Sequence, residues 1–161
     1  MTNKTKILIA EDEAIIRLDL KESLEAEGYE VVGETGRGDE VIELVRSLEP
    51  DLVILDIKMP GMTGIQAAEI ITGEGLAAVI LLTAFSQQDL VEQASNAGVL
   101  AYLVKPFQRS DLVPSIELAL GRFKEITLLK EEKTLLENNL ESRKVIDRAK
   151  GMLTDKYGLK E

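Results

Sequence analysis

Acidic, hydroxyl and ammonium side chains follow short apolar runs at four places in this sequence. Glu11-Asp12 follows Ile7-Leu8-Ile9-Ala10, and Asp56 follows Leu52-Val53-Ile54-Leu55. Thr83 follows Ala78-Val79-Ile80-Leu81-Leu82, and Lys105-Pro106 follows Leu100-Ala101-Tyr102-Leu103-Val104. An open α/β sheet binds its ligands beyond the carboxyl ends of its strands. If the runs are strands of one such sheet, these residues share one rim. Three carboxylates in a small crevice repel one another unless a cation neutralises them, and an all-oxygen donor set suits Mg²⁺. The spacing therefore predicts a divalent-metal site built from Glu11, Asp12 and Asp56.

Composition narrows the chemistry further. The chain has 161 residues, 19 of them Lys or Arg and 29 Asp or Glu, for a formal charge of −10, and it contains no His, Cys or Trp. Without His there is no Ser-His-Asp triad and no imidazole base, and without Cys there is no thiol nucleophile, zinc cluster or disulfide. Any chemistry runs on carboxylates, hydroxyls, lysines and a hard cation. The length accommodates one core with a short appendage. The N-terminal apolar stretch is too short for a signal peptide and no eighteen-residue apolar run occurs, so a soluble, cytoplasmic protein without membrane contact is expected.

The elements that must position these residues are legible as a β-α alternation. The four runs above, with a shorter one at Val31-Val32-Gly33, have the length and β-branched content of strands covered on both faces. Four strands is the second reading, because Val31-Val32 is short. Ile15, Ile16, Leu20 and Leu24 mark the apolar face of a first helix, with Arg17, Asp19, Lys21 and Glu25 opposite and Gly28 as its stop. Further helices are predicted over about Asp39 to Leu48, Thr63 to Thr72 and Gln87 to Asn96. One long helix is predicted from Asp111 to Lys150, with Pro114 tolerated in its first turn. The pattern predicts a doubly wound parallel α/β sheet followed by a long C-terminal helix.

Glu11-Asp12, the segment Leu55-Asp56-Ile57-Lys58-Met59-Pro60-Gly61-Met62-Thr63-Gly64, Thr83-Ala84 and Lys105-Pro106-Phe107 together resemble the receiver domain of bacterial two-component response regulators. The resemblance spans residues 5 to 120. It implies a flavodoxin-like sheet of order 2-1-3-4-5, with Asp56 accepting a phosphoryl group from the phosphohistidine of a sensor histidine kinase. It implies that Glu11, Asp12, Asp56 and the backbone carbonyl of Lys58 hold Mg²⁺, that Lys105 pairs with the phosphoryl group, and that Thr83 hydrogen-bonds it after transfer. Tyr102 matches the family's switch aromatic, Lys58 and Phe85 match positions that modulate the lifetime of the phosphorylated state, and Lys105-Pro106 is expected to be cis. Residue chemistry agrees: a carboxylate nucleophile forms an acyl phosphate, and the protein supplies positioning and charge neutralisation. A metal-dependent phosphatase of similar chemistry usually carries a second aspartate two positions after the first; here that position is Lys58. No turnover beyond self-phosphorylation and autodephosphorylation at Asp56 is expected.

The C-terminal quarter differs in character. Residues 1 to 120 hold 9 basic and 21 acidic side chains, net −12, whereas residues 121 to 161 hold 10 and 8, net +2. Ile126, Leu129, Lys133, Leu136, Leu140 and Arg143 recur at alternating spacings of three and four, a heptad seam with Lys133 as a polar fault, which predicts a dimerising coiled coil. Arg143, Asp147 and Lys150 fall at i, i+4 and i+7, with Lys144 and Arg148 on the adjacent ridge, a mainly basic strip. The run from Glu141 to Leu153, with Tyr157-Gly158-Leu159, resembles the start of an ANTAR domain, an RNA-binding antitermination module. The organisation expected is a receiver at 5 to 120, a linker helix at 121 to 142 and the N-terminal part of an ANTAR-like output at 143 to 161, the module being truncated. The alternative is a receiver that works through protein contacts alone, without nucleic acid.

Overall fold

Each apolar run becomes a strand because its successive side chains point to opposite faces and find a helix layer on either side. A computed structural model describes the backbone of residues 4–84 and 96–157 and the side chains of residues 4–84 and 96–136. Its strands are Lys6–Ala10 (β1), Glu30–Thr35 (β2), Leu52–Asp56 (β3), Ala78–Ala84 (β4) and Ala101–Lys105 (β5). They form one parallel sheet, as the β-α alternation predicts, in the order β2-β1-β3-β4-β5 that the resemblance implies. The helices are Ala14–Ala26 (α1), Gly38–Leu48 (α2), Gly64–Gly73 (α3) and Arg109–Tyr157 (α4). The helix expected over Gln87 to Asn96 lies outside the described residues save for its last position, and so does Phe85.

The two faces carry two cores. Leu8, Ala10, Val53, Leu55, Val79 and Leu81 pack with Val41 and Val45 of α2 and with Ala67, Ala68 and Ile71 of α3. Ile7, Ile9, Leu52, Ile54, Ile80 and Leu82 pack with Leu20 and Leu24 of α1 and with Leu112, Ile116 and Ala119 of α4. Helix termini follow local chemistry. Gly28 ends α1 at φ +91°, and Thr63 caps α3 through a reciprocal pair of hydrogen bonds with Gln66.

Three expectations are corrected by a few residues, and each has a physical reason. The second strand is real and longer than its apolar dipeptide, because β1 pairs it from Glu30 to Thr35 across an irregularity between Ile7 and Leu8. Asp56, Thr83 and Lys105 lie inside their strands, since backbone pairing continues past the last apolar residue. The long helix begins at Arg109, which moves Pro114 beyond the first turn, where its missing N–H leaves no donor for the Ser110 carbonyl.

The chain divides into two units after Phe123. In the first, residues 109–123 of α4 close one face of the sheet. In the second, Ile126, Leu128, Leu129, Leu135 and Leu136 are all exposed, Leu129 and Leu136 each at 63%. Among the described residues no helix is long and apolar enough to cross a membrane.

Candidate functional site

Parity along the strands decides which side chains meet. Glu11 continues the Ile7, Ile9 series of β1, Asp56 the Leu52, Ile54 series of β3, and Lys105 the Ala101, Leu103 series of β5, so all three rise from the face covered by α1 and α4. Lys105 Nζ donates to Glu11 Oε1 at 2.7 Å and lies 3.1 Å from Asp56 Oδ2. Glu11 is fully buried, Asp56 is buried and Asp12 is exposed at the mouth. Carboxylate oxygens of Glu11, Asp12 and Asp56 all lie within 4.8 Å of one another. The peptide between Lys105 and Pro106 is cis, as expected.

The electrostatics follow from this crowding. Burial pushes the Glu11 carboxyl up from 4.5 to about 8, reinforced by the neighbouring Asp56 carboxylate and opposed by Lys105. Desolvation and one like charge thus outweigh a single ammonium. Burial also works against the charge on Lys105, but the Glu11 and Asp56 carboxylates more than offset it and hold its pKa above the usual lysine value. Glu11 Oε2 is buried and has no hydrogen-bond partner. A buried carboxylate oxygen left without a donor, beside two further carboxylates, fits a hard divalent cation such as Mg²⁺.

Thr83 and Tyr102 lie on the opposite side of the sheet from Asp56. Thr83 belongs to the Val79, Leu81 series, and Tyr102, paired in register with Leu81, packs on the same core. Asp56 pairs with Leu82, so buried Thr83 is the next residue along the adjoining strand. Lys58 is exposed, in the turn between β3 and α3. That turn is closed by the Gly64 amide donating to the Ile57 carbonyl at 2.8 Å, an approach so close that a Cβ on Gly64 would stand 2.1 Å from the Asp56 carbonyl oxygen. Arg143, Lys144, Arg148 and Lys150 fall on the helical backbone of α4, and their side chains lie outside the described residues.

One residue at the site was not singled out by the pattern. Arg17, placed by periodicity on the polar face of α1, turns back so that Nη1 donates to the Glu11 carbonyl at 2.7 Å and Nε lies 3.6 Å from Glu34 Oε1. Helical spacing carries no signal for a contact to a loop and to a second strand.

The family model for the response regulator receiver domain matches residues 7–117. The transcriptional regulatory protein PdtaR of Mycobacterium tuberculosis is 56% identical over 156 residues, which is 97% of this chain and 76% of that protein. The chemotaxis protein CheY of Thermotoga maritima is 41% identical over 112 residues, 69% of this chain and 93% of its own. Among solved structures, the signal receiver domain of the response regulator NarL from Mycobacterium tuberculosis aligns with a TM-score of 0.71 at 29% identity, over 74% of this chain and 98% of that one. With its acidic cluster and lysine on the ends of a 2-1-3-4-5 sheet, this chain belongs to the response regulator receiver-domain family.

Proposed function

We propose that Asp56 accepts a phosphoryl group from the phosphohistidine of a sensor histidine kinase, and that the phosphorylated receiver drives a dimeric, RNA-binding output that controls transcription by antitermination. The observation that carries the first half is the meeting of Glu11, Asp56 and Lys105 within hydrogen-bonding distance at the rim. An Asp56 carboxylate oxygen forms a bond to phosphorus as the bond from phosphorus to the imidazole nitrogen breaks, the bonding pair leaving with that nitrogen. Lys105 Nζ, already 3.1 Å from Asp56 Oδ2, is placed to follow the added charge onto a phosphoryl oxygen. Glu11, Asp12, Asp56 and the Lys58 carbonyl would hold Mg²⁺, which when bound would supply positive charge opposite the phosphoryl oxygens. Hydrolysis of the acyl phosphate returns Asp56 to its starting state.

The switch reading rests on Thr83 and Tyr102 sharing a sheet face on adjacent strands. A Thr83 hydroxyl drawn toward a phosphoryl group on Asp56 vacates space beside Tyr102, so modification on one face repacks the other. The output reading divides the chain into a receiver at 5 to 120, a coiled-coil linker at 121 to 142 and an ANTAR-like segment at 143 to 161. It is supported by the exposed leucine stripe, by the net charge of +4 between residues 142 and 160, and by the transcriptional role in the name of the Mycobacterium tuberculosis relative. Dimerisation of two weakly binding modules raises their joint affinity through effective concentration.

The full-length protein tests this reading. With a phosphodonor, wild type gains dimer and a salt-sensitive RNA mobility shift. Asp56→Asn gains neither, and Arg148→Ala with Lys150→Ala keeps the dimer and loses the shift. An intact phosphorylated dimer that binds no RNA would instead assign residues 121 to 161 to protein contacts.

A further inference from the structure

We infer that Arg17 is a positioning residue for the metal site: its guanidinium fixes the backbone from which Glu11 and Asp12 project. The inference rests on the reading of Glu11, Asp12 and Asp56 as the site of a divalent cation. The Glu11 backbone is held on both sides of its Cα, its N–H donating to the Thr35 carbonyl at 2.9 Å and its carbonyl accepting from Arg17 Nη1 at 2.7 Å. The first bond joins the loop to β2 and the second joins it to α1. Helix α1 has Glu13 as its N-cap, and no side chain caps it, so the loop between β1 and α1 has no capping bond of its own. Glu34 on β2 faces Arg17 Nε at 3.6 Å and holds the guanidinium from its other edge.

Gly36 makes room for this arrangement. A Cβ at that position would stand 3.1 Å from Arg17 Nη1 and 3.5 Å from the Asp12 Cα, so the guanidinium lies in the space a side chain there would take. The geometry suits arginine in particular, because one planar fork reaches a carbonyl with one nitrogen and a carboxylate with another, which a lysine ammonium cannot do. Groups that orient metal ligands typically change affinity by about 10- to 100-fold when removed.

Charge and geometry predict opposite signs, which makes the role testable. A cation beside a cation site opposes metal binding by Coulomb repulsion, so removing Arg17 would tighten Mg²⁺ binding if charge alone mattered. If Arg17 acts by position, removal weakens it. The experiment is Mg²⁺ titration calorimetry on the full chain, with the unfolding midpoint of the metal-free protein measured alongside. Arg17→Ala is expected to weaken Mg²⁺ binding about tenfold or more, and Arg17→Lys, which keeps the charge and one donor, by about threefold, with the metal-free midpoint of Arg17→Lys unchanged. Should Arg17→Ala not fold, Arg17→Lys decides alone. Binding as tight as wild type in both variants, or tighter, overturns the positioning role while leaving the metal site standing. Wild-type protein that takes up no Mg²⁺ overturns the metal site and the role of Arg17 with it.

Discussion

Raising the pH should destabilise the metal-free protein through Glu11. In the folded chain burial lifts this carboxyl from 4.5 to about 8, so between those values the folded state holds a proton that the unfolded chain has released. The contribution is fully present below about pH 4.5 and is lost as pH rises through 8. One proton difference corresponds to about 1.4 kcal/mol per pH unit at 25 °C, so the window is worth on the order of a few kcal/mol. That is a large share of the roughly 5–15 kcal/mol that holds a domain folded. The assay is urea unfolding at several pH values from 5 to 8 with chelator present, comparing wild type with Glu11→Gln, whose neutral amide has nearly the same shape. Wild type should lose on the order of 1 kcal/mol more per pH unit than the variant over the middle of this range, and less as pH approaches 8. A metal that needs the ionised carboxylate must displace this proton, so Mg²⁺ binding near neutral pH should release about one proton, and Mg²⁺ should flatten the wild-type slope. Identical pH slopes in wild type and Glu11→Gln would mean that Glu11 does not hold the extra proton of the folded state.

Other perturbations read other parts of the structure. Gly64→Ala sets a methyl group against the Asp56 carbonyl and should cost at least about 2 kcal/mol by chemical denaturation, because backbone and not a flexible side chain must yield. Tyr29→Phe removes a 2.9 Å hydrogen bond donated from the residue before β2 to Glu117 of α4 and should cost about 0.5–1.5 kcal/mol. Thr63→Ala breaks the reciprocal cap of α3 and should cost about 1 kcal/mol. Lys133→Leu fills the polar fault in the heptad seam and should strengthen self-association measured by sedimentation equilibrium, whereas Leu129→Glu with Leu136→Glu should abolish it.

The sheet was legible because its signals are local. Five short apolar runs, each bounded by a turn or a helical pattern, leave few arrangements other than a doubly wound sheet, and that sheet brings its strand ends to one rim. Glu11, Asp56 and Lys105 could therefore be grouped from sequence although Glu11 and Lys105 are 94 positions apart. Where each side chain points depends on strand parity, which requires the true strand ends. Apolar content placed Thr83 after its strand, whereas backbone pairing with β5 places it inside β4 and across the sheet from Asp56. The contacts of Arg17, the bond between Tyr29 and Glu117, and the fit of Gly64 against Asp56 all depend on tertiary distances that no periodicity encodes.

Mapping the modification tests Asp56 as the phosphoacceptor. The full chain is incubated with acetyl phosphate and Mg²⁺, digested and analysed by mass spectrometry. One phosphoryl group is expected on the peptide that contains Asp56, removable by hydroxylamine as an acyl phosphate is, and absent both from Asp56→Asn and from samples with chelator. A phosphoryl group of the same stoichiometry on Asp56→Asn, or at any other residue of the wild type, would contradict that assignment.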